Sequence, residues 1–436
     1  MRIHISDATE RGMHLGSWRT NSVMGNAGRA SRLTGSGRSY LLCACIVYVW
    51  PVVAGAEVHI VPYVATQAEY NSNVFDLSSP SQAIVENGEA RRDDMVLRYL
   101  GGAAASYQMG QQKLHGAIEG RRFNYEHFNQ LDHDEYLLDG GLDWALSSDL
   151  DGALDYRQER RMASFADRNT SQLVLERDRA AAAKVNLKLT PEWLLQGGVK
   201  NHQLDSPIQG IPMFGLSENS ANAALSYLGF GTLSAGLYAE YLRGEYRGVP
   251  GANKFDQTTL DLTAAYSISG LSDINAKLGY TQRKDQQSGT GSVSGYTGSL
   301  TYSRKLSGKT AANVQLFRRI SSYTAGASSV VETGASADVN WRPTLKLAVS
   351  LDYSLTNSTL QGQGVSGTNE SNRRDQYQIT TLKTTYQALE WLWIEPFASY
   401  ENRDSNIEID GFNTAIVGIN IRISFGGSTS APLGRK

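Results

Sequence analysis

His127, Asp132, His133 and Asp134 fall within eight residues, and with His202 they are the side chains here best suited to chemistry. Imidazoles beside carboxylates can ligate a metal or form a base–carboxylate pair. Their spacing matches no standard zinc pattern, and no Gly-x-Ser-x-Gly elbow supplies a nucleophile. The stretch Gly289 to Gly295, GTGSVSG, joins two extended segments and opens no helix, so it is not read as a phosphate loop. No catalytic residue, metal or cofactor is expected.

A larger set of charges recurs at every second residue and points to a polar interior. It comprises Arg98, Glu119, Arg121, Asp139, Asp143, Asp155, Arg157, Glu159, Arg161, Asp178, Lys184, Asp261, Lys277, Asp338, Lys346 and Asp352. Such a set can form pairs across neighbouring strands, or it can line a track for a hydrophilic solute.

The elements that would position these charges show most clearly between Asp134 and Arg161. There Tyr136, Leu138, Gly140, Leu142 and Trp144 alternate with Asp139, Gly141 and Asp143, and Leu150, Gly152, Leu154 and Tyr156 alternate with Asp151, Asp155 and Arg157. A period of two is that of a β-strand with unlike faces. Leu260 to Ile268, Leu345 to Leu355 and Val417 to Phe425 repeat it.

Connections between the strands alternate in length. Those at 110–112, 147–149, 190–192, 229–232, 270–273, 307–309, 342–344 and 389–391 are short. Those at 71–93, 166–171, 206–217, 248–254, 286–294 and 361–373 are longer and more polar. Short turns on one rim and longer loops on the other are the pattern of a transmembrane barrel, whose short turns lie on the periplasmic side. The reading is all-β: a transmembrane antiparallel up-and-down β-barrel of about 18 strands. The stretch 206–217, SPIQGIPMFGLS, is the least polar long connection and a candidate lumen constriction.

Trp144, Trp193, Trp341, Trp391 and Trp393 all sit beside short turns, as an interfacial aromatic girdle would. Tyr70, Tyr125, Tyr136, Tyr246, Tyr296 and Tyr377 fall near the opposite strand ends and supply the second girdle. A β-helix or propeller would show a fixed-period repeat, which is missing, and a soluble sandwich would leave edges to protect.

Residues 1–56 read as an N-terminal extension and cleavable signal peptide: Arg29, Arg32 and Arg38, then a short apolar run from Tyr40 to Val53, then Ala54-Gly-Ala56. Both cysteines, Cys43 and Cys45, lie within it, which suits export through an oxidising compartment. The remainder holds 35 basic and 41 acidic residues with no basic block, which argues against a nucleic-acid partner. The barrel is assigned to 57–425 and a short polar tail to 426–436. These features place the chain in the Gram-negative bacterial outer membrane, with outer-membrane lipid, lipopolysaccharide and the barrel assembly machinery as partners.

Asn71-Ser-Asn-Val-Phe75, Arg122-Phe-Asn-Tyr125, Leu131-Asp-His133 followed by Leu142-Asp-Trp144, and Tyr156 to Arg161 with Phe165 resemble the outer-membrane barrels of exopolysaccharide biosynthesis operons that accompany exosortase systems, within the β-barrel porin type 2 group. The likeness is clearest over residues 57–205. It implies a non-enzymatic role in exporting or assembling an extracellular polysaccharide, with the polysaccharide chain and periplasmic export components as partners. A general or solute-specific diffusion porin is the alternative, and an outer-membrane hydrolase or a scaffold with a blocked lumen are further ones.

Overall fold

The computed structural model describes residues 57–166, 171–208, 211–248, 253–286, 292–323, 328–361 and 373–425. The expected signal-peptide segment 1–56, the tail 426–436 and part of the 289–295 stretch lie outside them. The strands in chain order are β1 (Glu57–Asn71), β2 (Asp94–Met109), β3 (Gln112–Tyr125), β4 (His133–Ala145), β5 (Leu150–Met162), β6 (Leu175–Lys188), β7 (Trp193–Ile208), β8 (Ile211–Phe230) and β9 (Leu233–Arg247), then β10 (Asn253–Ser269), β11 (Ser272–Asp285), β12 (Val293–Ser307), β13 (Thr310–Tyr323), β14 (Ser328–Trp341), β15 (Leu347–Gln361), β16 (Arg374–Leu389), β17 (Leu392–Ser405) and β18 (Phe412–Ser424). Each pairs antiparallel with the next, and β18 pairs with β1, so the 18-stranded sheet closes into a barrel with no free edge. Tyr63 opposite Ser424 and Asn71 opposite Ile416 set the closing register.

Closure explains the binary pattern. A one-sheet barrel has no second layer to cover its outer side, so apolar side chains there remain open to the surroundings. Leu262, with Leu237 and Leu278 as its cross-strand neighbours, is 63% exposed, and Leu278 is 64% exposed. Leu351 lies between Val339 and Leu382 in the same way. Inside, the alternate positions carry the charges.

Trp144, Trp193 and Trp341 face outward beside short turns, and Trp391 lies half-exposed in the turn between β16 and β17. The Trp144 ring lies over Gly152 on the next strand, where an added Cβ would come within 2.4 Å of the indole. Gly152→Val is therefore expected to displace Trp144 and lower stability by about 1–3 kcal/mol. Urea unfolding in micelles, followed by tryptophan fluorescence, would check this; an unchanged midpoint and emission maximum would contradict it.

Four expectations require correction. Trp393 does not belong to the girdle: it pairs with Arg422 in register, is only 8% exposed, and points into the barrel. Among the tyrosines, Tyr70, Tyr136 and Tyr296 face out, but Tyr125, Tyr246 and Tyr377 face in. Proximity to a rim does not determine a face, because adjacent residues in a strand point to opposite sides. Lys346 lies in the turn before β15. The 206–217 stretch is no inserted loop: its ends continue β7 and β8 as a hairpin, with Ser206 opposite Phe214 and Ile208 opposite Ile211.

Candidate functional site

The inward charges form a connected ladder around one side of the wall. Tyr63 donates to Glu119 at 2.7 Å, its ring passing over Gly102, where a Cβ would meet it at 2.8 Å. Arg121 holds Glu119 together with Glu135 at 3.4 Å and Glu159 at 3.1 Å. Arg157 and Arg161 also reach Glu159, at 3.1 and 3.6 Å, and Arg161 continues to Asp178 at 3.3 Å. His202 then bridges Asp178 at 3.0 Å and Glu218 at 3.2 Å. Alternating signs on adjacent strands let buried charges satisfy one another where water is scarce.

At Glu218 the ladder leaves the wall. Ser322 of β13 donates to its carboxylate at 2.6 Å, although β8 and β13 are five positions apart around the ring. Arg283 of β11, fully buried, donates to Ser322 at 2.8 Å and to the Tyr246 hydroxyl at 3.3 Å. Its guanidinium lies 3.5 Å over the Phe255 ring, and Leu204 and Leu216 complete an apolar knot around Tyr246 and Phe255. This polar contact spans part of the lumen near the long-loop end.

A second structure covers the same end on the opposite side. The 72–93 connection carries a helix, α1 (Pro80–Asn87). Ser79 accepts from Gln82 N, Pro80 begins the helix, and Gly88 ends it in the left-handed conformation at φ 82°. Val74, Phe75, Leu77 and Ala83 from this connection pack with Val96, Tyr125, Phe128, Leu131 and Phe165 in a small core. Phe75 meets Phe128 edge-on at 4.8 Å and Phe165 at 5.0 Å. Asn73, 1% exposed, donates to Leu77 O at 2.9 Å and Asn413 O at 3.0 Å. Asp94 accepts from Phe128 N at 2.8 Å, pinning the 126–132 connection. From the far wall, buried Arg403 of β17 donates to Ala166 O, beyond the end of β5. The cap is thus tied to a strand six positions away.

A cavity of about 1260 Å³ lies along the inner wall from β5 to β15 and reaches the Glu218–Ser322 contact. Its lining includes Arg157, Asp178, Lys200, His202, Glu240, Asp261, Lys277, Arg319, Glu332 and Asp338. The sequence-derived inner set is placed as follows: Arg98, Glu119, Arg121, Asp139, Asp143, Asp155, Arg157, Glu159, Arg161, Asp178, Lys184, Asp261, Lys277, Asp338 and Asp352 all share the inward face of their strands. Glu119, Arg121, Arg157, Glu159, Arg161 and Asp178 join the ladder; Asp338 stands opposite Asp352 across β14 and β15. Glu135, Glu218, Arg283, Arg403 and the Arg422–Glu395 pair at 3.7 Å were missed. Their inward parity was available as a signal, but their partners were not.

The histidine group does structural work. His133 is buried, bonds Leu131 O through Nδ1 at 2.6 Å and Glu135 through Nε2 at 3.2 Å, and stacks on Phe123 at 4.6 Å. Asp132 accepts from Tyr125 N at 2.8 Å. Asp134 faces outward against Arg122 at 3.4 Å, and His127 pairs with Glu89 at 2.7 Å. Among the described residues no group of three or more His, Cys, Asp or Glu could hold a metal ion.

No family model and no curated protein matches the chain. Among solved structures it is similar to OpdK of Pseudomonas aeruginosa with vanillate, at 12% identity and TM-score 0.45, covering 84% of this chain and 99% of that one. It is also similar to OccK2 (OpdF) of the same organism in complex with glucuronate, at 12% identity and TM-score 0.45, covering 85% and 98%. The siderophore receptor PiuA of Acinetobacter baumannii gives 9% identity and TM-score 0.44, covering 83% and 81%.

Proposed function

We propose that this chain is an outer-membrane conduit for hydrophilic solutes, non-enzymatic and selective by charge. The observation that carries the reading is the lumen wall itself: a cavity lined by ionised side chains inside a barrel whose outer face is apolar. Inward carboxylates outnumber inward cations on the described strands, and Asp338 and Asp352 face each other with no cation between them in register. A net-negative lumen concentrates cations. In planar bilayers under a KCl gradient, the reversal potential is expected to show cation preference of about threefold or more, and Asp338→Asn with Asp352→Asn to reduce it. Preference for anions would overturn the charge argument.

Polysaccharide secretion is the second reading, and one observation favours it. The residues that resemble exopolysaccharide-operon barrels, Asn71 to Phe75 and Phe165 above all, build the cap over the lumen. A capped mouth suits a chain exit that opens only when engaged. Deleting the gene separates the two: lost small-solute uptake with surface polysaccharide retained supports the diffusion conduit, and the reverse supports secretion.

A further inference from the structure

Elsewhere on the outer face Arg122 stands opposite Asp134 and Arg243 opposite Asp256, but one group sets like charges together. On β5 the outward residues run Leu154, Tyr156, Gln158, Arg160; on β6 they run Val185, Ala183, Ala181, Arg179, Arg177. Arg160 and Arg177 are direct cross-strand partners, so two like charges stand opposite each other. That arrangement is destabilising by itself. Arg177 is exposed and stands opposite Asp205 in register on its other side, but the Asp205 carboxylate is engaged elsewhere and, among the described residues, neither Arg160 nor Arg177 forms an ion pair with a carboxylate. Beside them, Arg179 and Arg247 share the single carboxylate of Asp205, Arg247 at 2.6 Å.

Position gives the group its meaning. Immediately below it, Gln158 donates to the Tyr136 hydroxyl at 2.7 Å and accepts from the Tyr156 hydroxyl at 2.7 Å. Below that polar rung lies the exposed apolar band of Leu154, Val185 and Val199. A lipid whose acyl chains lie along this band would bring its headgroup level with the arginines. Guanidinium groups pair bidentately with phosphate, and removal of that site from bulk water strengthens the pairing.

We propose that Arg160, Arg177, Arg179 and Arg247 form a binding site for the phosphate groups of an outer-leaflet glycolipid of the lipid A type. The anion would relieve the Arg160–Arg177 repulsion, so the barrel would be more stable with the lipid than without it. The proposal rests on the membrane-spanning reading, and the test separates the two.

Purified barrel is reconstituted with bisphosphorylated lipid A, with the same lipid after removal of both phosphates, or with inorganic phosphate, and bound lipid is counted by native mass spectrometry. Wild type is expected to retain the bisphosphorylated lipid at least tenfold more than the dephosphorylated one, with no effect of inorganic phosphate. R160Q/R177Q should lose that preference while R160K/R177K keeps part of it. The glutamine variant should unfold no earlier than wild type in lipid-free detergent, yet earlier in lipid A bilayers. Equal retention of both lipids by wild type, or unchanged retention by the glutamine variant, overturns the site. Failure of wild type to enter any bilayer overturns the membrane reading instead.

Discussion

Phe75→Ala is expected to release the cap from the lumen. Phe75 is 1% exposed and is the ring on which Phe128 and Phe165 both pack, so its loss removes the aromatic contacts at the centre of the three connections, which the His127–Glu89 and Ser171–Glu86 contacts join only at the edge. Truncating a buried phenylalanine costs about 3–5 kcal/mol. In a core this small, that loss is a large fraction of what holds the cap closed; a shift of even 3 kcal/mol changes its open population by more than about a hundredfold. Single-channel conductance should rise and the trace become noisier, while the barrel itself still resists heat in detergent, because none of its strand pairings involves the ring. An unchanged conductance would mean that the cap does not govern the path.

The second large effect concerns Arg121. It is the shared cation of Glu119, Glu135 and Glu159, whose residues are 2%, 8% and 8% exposed. Glu159 keeps Arg157 and Arg161 if Arg121 is removed, and Glu135 keeps the Met162 amide at 2.7 Å and His133. Among the described residues, Glu119 keeps only the Tyr63 hydroxyl as a direct hydrogen-bond partner. Arg121→Met should therefore destabilise the barrel by about 3–5 kcal/mol, the cost of stranding a buried charge. Most of that cost should fall on Glu119, so adding Glu119→Gln should recover at least half of it. Urea midpoints of the two single variants and the double variant in micelles give the comparison. A double variant no more stable than Arg121→Met alone would mean that the ladder is dispersed over its other members.

The arginine at 121 also illustrates what could be read from the chain and what could not. Its inward direction follows from parity alone: Leu114, Ile118 and Gly120 take one face of β3, so Glu119 and Arg121 must take the other. The same rule placed the remaining inner charges. Nearness to a turn is a poorer guide than parity, and Trp393 shows why. Near the β16–β17 turn the register shifts between Gln387 and Leu389, and only strand pairing shows that the indole at 393 stacks with Arg422 inside, 4.6 Å from its guanidinium. Composition is an equally poor guide at 206–217, where apolar residues suggest an inserted plug and the backbone continues as a hairpin.

Sequence by itself determined the local half of this protein. A period of two specifies faces, and alternating connection lengths specify up-and-down order, because both depend only on neighbouring residues. Tertiary structure alone decided which inward groups meet. Glu218 finds Ser322 across 104 residues, and Arg403 reaches Ala166 across 237. The curvature of a closed ring brings such pairs together, and no local pattern encodes it. The cap belongs to the same class: Asn73, Phe75 and Phe165 stood in the chain as motifs without a role, and packing over the mouth supplied one. The residues at 127, 132 and 133 took up the hydrogen bonds and ring stacking that hold the cap's connections to the barrel, while Asp134, one residue on, faces out against Arg122.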